Sequence, residues 1–79
     1  MATKTIYQEH YRGLVLKLRE MRERSGASQG EIARKLGWPQ QRISAIEAGA
    51  RRLDVLEFIQ LTQALGLSNS AASRLLFPS

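Results

Sequence analysis

Apolar residues recur along this chain at intervals of three and four, the spacing of one helix face, and nowhere alternate long enough to mark a strand. Tyr11, Leu14, Val15, Leu18 and Met21 set the inner stripe of a first helix expected from about Glu9 to Arg24. Its other faces carry Arg12, Lys17, Arg19, Glu20 and Glu23, with Arg19–Glu23 and Glu20–Arg24 spaced as adjacent turns. Gly13 weakens the start of this helix, and Ser25-Gly26-Ala27 ends it.

Ser28 opens a second helix, and Ser28-Gln29-Gly30-Glu31 has the form of a capping box, in which each side chain satisfies the other residue's backbone donor. Ile32, Ala33 and Leu36 form its inner face, and Gly37 suits the left-handed conformation at its end. Gly30 costs about 0.5–1 kcal/mol relative to alanine in a helix, with no role legible in the sequence. Pro39 fixes φ at a helix start, where its missing donor does no harm. The third helix is then expected from Pro39 or Gln40 to Ala48, burying Ile43 and Ile46.

After Gly49 and the basic loop Ala50-Arg51-Arg52-Leu53, Asp54 with Glu57 repeats the capping-box pattern. The fourth helix runs to about Leu65, with Val55, Phe58, Ile59, Thr62 and Leu65 expected to face inward and Gly66 as its stop. A last helix begins at Ser68 or Ser70, carries Ala72, Leu75, Leu76 and Phe77, and is ended by Pro78. The pattern predicts an all-α protein, a compact bundle of five short helices.

Length and charge sharpen this picture. The 79 residues suffice for one small domain, expected over 9–77, preceded by a flexible segment at 1–8. The chain has no cysteine, so neither a disulfide nor a thiolate metal site can staple it. The N-terminus lacks the apolar core of a signal peptide and no run is of membrane-spanning length, so a cytoplasmic location and no membrane partner are expected. The net charge is +5, and residues 1–53 hold eleven Lys/Arg against five Asp/Glu, whereas residues 54–79 hold one against two. Positive charge gathered on one part of a small domain fits a nucleic-acid footprint.

The third helix carries the candidate chemistry. On a helical wheel Ile43 and Ile46 point inward, with Glu47 at their border, while Gln41, Ser44, Ala45 and Ala48 lie opposite and Gln40 sits at the first turn. That outward face has no carboxylate to repel phosphate and no bulky group to keep it from a groove. A glutamine amide can bond adenine N6 and N7 together, and alanine can touch a thymine methyl. Gln40, Gln41, Ser44 and Ala45 are therefore the candidate base contacts, and Arg42, projecting sideways, a candidate phosphate contact. Trp38 is expected as a core plug, and His10, the single histidine, as a surface or helix-capping residue. No spacing pairs a nucleophile with a base, and no glycine loop cradles phosphate. No enzyme activity, metal or cofactor is expected.

Taken together, Leu18-Arg19, Arg22, Ser28-Gln29, Ile32-Ala33, Leu36-Gly37, Ile43-Ser44, Ile46-Glu47, Gly49, Asp54 and Ala64-Leu65-Gly66 resemble the phage-repressor and Cro-type helix-turn-helix family, also called the xenobiotic-response-element family. The resemblance implies a lambda-repressor-like bundle in which the second and third helices form the helix-turn-helix. It implies a phosphate contact by Gln29 at a helix N-terminus, where free amides and the dipole favour an anion. It also implies base reading by Gln40 and Gln41, backbone tracking by Arg51 and Arg52, and a structural ion pair between Arg22 and Glu47. Pro39 departs from the hydroxyl cap usual at its position, and Trp38 from a smaller turn residue.

The expected function is sequence-specific binding of double-stranded DNA by a transcriptional regulator, a repressor or autoregulator. A homodimer on a palindromic operator would place two recognition helices in successive major grooves about 34 Å apart. Leu75, Leu76 and Phe77 are its candidate dimer contacts. A second class is an antitoxin or other protein-interaction module, with a toxin as its partner; a restriction–modification controller protein is a third reading. No small-molecule effector is expected.

Overall fold

A computed structural model describes the backbone of residues 2–77 and the side chains of residues 8–77. Helical periodicity becomes five helices, α1 (Ala2–Arg24), α2 (Gln29–Leu36), α3 (Gln40–Glu47), α4 (Val55–Ala64) and α5 (Asn69–Leu76), with no strand among the described residues. The hydrogen-bonding side chains that precede three of these helices fix where they start. Ser28 Oγ accepts from the Glu31 amide at 3.1 Å while Glu31 Oε1 accepts from the Ser28 amide at 2.8 Å. Hydrogen bonding of the Glu31 carboxyl, first to the Ser28 amide and then to the Ser28 side chain, holds it below the usual range. Asp54 and Glu57 make the same reciprocal pair at 2.7 and 3.1 Å, and Ser68 caps α5 through the Ala71 amide. Pro39 is the exception. Its side chain caps nothing, and its ring holds φ at −63° with an extended ψ of 143°, so α3 begins by ring geometry.

α2 packs against α3 and α4, and α1 crosses α3. Leu14 and Leu18 of α1, Ile32 and Ala33 of α2, Ile43 of α3, and Phe58 and Leu61 of α4 make the shared core, with Ile46 fully buried beside them. Trp38 packs on the edge of this core, as its size predicts. Gly37 adopts φ +71°, which lets the chain reverse so that the Trp38 amide reaches the Ala33 carbonyl at 2.9 Å. A side chain with Cβ would strain that reversal.

One boundary, one helix face and one ion pair differ from expectation. α1 starts at Ala2 rather than near Glu9: no glycine or proline interrupts residues 2–12, and Gly13 does not break the helix. The part of residues 1–8 expected to precede the domain is thus helical backbone from Ala2 onward. On α4, Val55 and Ile59 are exposed, while Leu61 and Glu57 are buried with Phe58 and Thr62. Apolar residues cover more of the α4 wheel than its neighbours can, and the buried arc is rotated toward Leu61. Glu20 and Arg24 do not close their ion pair, although Arg19 and Glu23 do at 3.4 Å. The expected stop at Pro78 lies outside the described residues.

α5 closes one end of the bundle. Ala72 and Leu75 pack on the core, and His10 Nε2 donates to the Leu76 carbonyl at 3.0 Å, so the histidine does cap a helix end.

Candidate nucleic-acid interface

The side chains that α3 turns away from the core form a surface of polar and small residues without a carboxylate. Gln40, Gln41 and Ser44 are exposed, and Ala45 is half-buried behind them. The helix has no acidic residue in its first turn, and its one carboxylate, Glu47, is turned inward. The Ala45 carbonyl accepts from both the Ala50 and Arg51 amides, at 2.9 and 3.1 Å, so the loop after α3 is tied to the helix itself.

The brace expected between Arg22 and Glu47 forms. Arg22 donates through Nε and Nη2 to the two Glu47 carboxylate oxygens at 2.7 and 2.9 Å, and through Nη1 to the Ala27 carbonyl at 2.9 Å. The pair joins α1 to the end of α3, and both side chains are about nine-tenths buried. Burial disfavours charge on Glu47, yet bonds from Arg22 and Gln29 and the positive charge of Arg22 outweigh it and hold the carboxyl below its usual range.

Gln29 contributes to the same brace. Its side-chain amide donates to Glu47 Oε1 at 2.9 Å, which fixes an otherwise mobile side chain at the start of α2 and leaves its second N–H free. Gly30 lies beside it, and here the structure supplies the reason missing from the sequence. A Cβ on Gly30 would stand 3.3 Å from Gln40 Oε1, so the bare backbone makes room for the Gln40 amide. An unexplained glycine in the first turn of a helix was the only signal of this contact.

The three arginines differ from a simple basic loop. Arg42 lies over the Trp38 ring, 5.0 Å from its centroid, and Arg52 over Tyr11 at 4.5 Å. Tyr11 also accepts the Leu53 amide at 2.8 Å, so α1 supports the loop that carries Arg52. Arg51 Nη2 meets Glu57 Oε2 at 2.9 Å, and Arg42 Nη1 stands 3.8 Å from the same oxygen. Glu57 reads in the sequence only as the second half of a capping box. Its further contacts span fifteen residues of chain, and no local pattern announces them.

With this geometry in place, comparison with known proteins is direct. Residues 14–75 match the family described as Helix-turn-helix domain. The chain belongs to the XRE-type helix-turn-helix family. It is similar to the solved structure of an XRE-family like protein from Pseudomonas syringae pv. tomato str. DC3000, at 41% identity over 95% of this chain and 93% of that one, with a TM-score of 0.88. No curated protein matches significantly. As an XRE-type domain the chain is a regulator of the DNA-binding kind, with α2 and α3 as its helix-turn-helix. No helix among the described residues is long and apolar enough to cross a membrane.

Proposed function

We infer that this XRE-type domain is a sequence-specific repressor or autoregulator that binds a palindromic DNA operator as a homodimer. The observation that carries the reading is the carboxylate-free outward face of α3, held rigidly by the Arg22–Glu47 brace behind it. Gln40, Gln41, Ser44 and Ala45 read bases in the major groove. Gln29, Arg42, Arg51 and Arg52 bind phosphates on either side of that helix and fix its register. Their charge supplies the sequence-independent, salt-dependent part of affinity.

Dimerisation is supported by exposed apolar side chains of α4 and α5. Val55, Leu56, Leu76 and Phe77 are exposed, with Ile59 one turn along α4, and Val55 and Leu76 line one cavity of about 250 Å³. Leu76 and Phe77 are expected in the interface, and Leu75, half-buried on the core, supports them from beneath.

The test is selection of binding sites from a random duplex library. The wild-type protein should enrich a sequence with two-fold symmetry. Gln41→Ala should bind that sequence about 1–3 kcal/mol more weakly and lose discrimination at one base position in each half-site. Unchanged preference in Gln41→Ala would remove α3 as the reading element. A co-purifying small protein partner together with no enriched duplex would favour the antitoxin reading.

A further inference from the structure

We propose that Glu57 is a positioning residue for DNA binding: it presets the guanidinium groups of Arg42 and Arg51 against the phosphate backbone. The proposal rests on the reading of those arginines as phosphate contacts. It starts from a conflict. A carboxylate beside a surface built to meet phosphates subtracts from the attraction that surface needs, and Glu57 stands among its arginines.

The cap of α4 does not demand that charge. Glu57 Oε1 accepts the Asp54 amide at 3.1 Å, a bond that a glutamine would make equally well. What needs the carboxylate is Oε2, which Arg51 approaches to 2.9 Å and Arg42 to 3.8 Å. The Glu57 side chain is 8% exposed, so this is a fixed point and not a swinging surface acid.

Each arginine is restrained at a second place as well. Arg42 stacks on Trp38, and the Arg51 amide is bonded to the Ala45 carbonyl. A guanidinium has five donors, and these contacts leave most of them available. A long side chain that is free in solution loses rotamer freedom when it binds; one already held does not lose it again. One carboxylate thus links the helix-turn-helix turn, α3, the following loop and the start of α4.

Two accounts of Glu57 predict opposite signs. If it were only a nearby negative charge, Glu57→Gln would tighten binding to every duplex and steepen the salt dependence. If it positions the arginines, Glu57→Gln keeps the cap but weakens binding to the selected duplex by roughly fivefold, the cost of ordering long side chains anew. Binding to an unrelated duplex of the same length should stay level or tighten, so the ratio of specific to non-specific affinity falls.

The experiment measures wild type and Glu57→Gln by fluorescence anisotropy on both duplexes over a salt series, with thermal unfolding of each protein alongside. Tighter binding of Glu57→Gln to the selected duplex overturns the positioning role and leaves the DNA-binding reading intact. A wild-type protein that enriches no duplex overturns both. Should Glu57→Gln not fold, side-chain Nε relaxation in the free wild-type protein decides the matter. Arg42 and Arg51 should be clearly more ordered than exposed Arg34, and equal mobility overturns the proposal.

Discussion

Gly30 shows how a residue that weakens its own helix can serve the neighbouring one. In the first turn of α2 it forgoes the conformational advantage of alanine, and its missing Cβ leaves the Gln40 amide a place 3.3 Å away. The neighbour is the flexible end of a side chain, so Gly30→Ala should displace Gln40 while sparing the fold. The variant is expected to be more stable by about 0.5 kcal/mol in chemical denaturation, yet to shift base preference at the position that the proposed contact from Gln40 would read. A preference identical to wild type would mean that Gly30 has no part in recognition. The glycine was visible in the sequence as an anomaly. Its explanation was not, because it depends on a side chain ten residues away, on another helix.

Between elements, the Arg22–Glu47 pair sets the orientation of α3 relative to α1, and it is the part of the site most legible in the sequence. Its positions follow from the family resemblance and its geometry from two parallel hydrogen bonds. Removing one member of a buried pair strands the other. Glu47→Ala should cost about 3 kcal/mol, a large part of the 5–15 kcal/mol available to a small domain, and urea unfolding would measure it. The pair is also acid-sensitive. The Glu47 carboxyl is held below its ordinary value of 4.5 in the folded state, so its stabilisation is complete above that value and is lost as the pH falls through the folded value. The stability gap between wild type and Glu47→Gln should therefore be level at neutral pH and narrow below about pH 4.5; a gap that widened on acidification would contradict this assignment. The phase of α4 was less legible. Its apolar residues outnumber the inward positions, so periodicity alone admitted Val55 and Ile59 to the core where packing chose Leu61.

Across the whole molecule, the proposed reading surface and the exposed apolar side chains lie on different elements, α3 for one and α4 with α5 for the other. In the proposed assembly, that separation would let one domain hold DNA and a second copy together. Leu56 is 72% exposed, so Leu56→Glu should leave the monomer folded while shifting sedimentation from dimer toward monomer and weakening operator binding. Wild-type protein that sediments as a monomer at the concentrations where it binds its operator would end the dimer reading.

What the sequence determined by itself is local. Helix starts follow from Ser28, Asp54 and Ser68 because a capping bond closes within three residues, and the reversal at Gly37 follows from the residue's own freedom. The outward glutamines of α3 were legible because a helix displays its faces in a fixed order. Only the tertiary structure decided that Arg42 and Arg51 share Glu57 while Arg52 lies over Tyr11, why Gly30 is glycine, and which part of the α4 wheel faces inward. Those outcomes depend on contacts between residues far apart in the chain, whose meeting is set by how the helices cross and not by any spacing along the sequence.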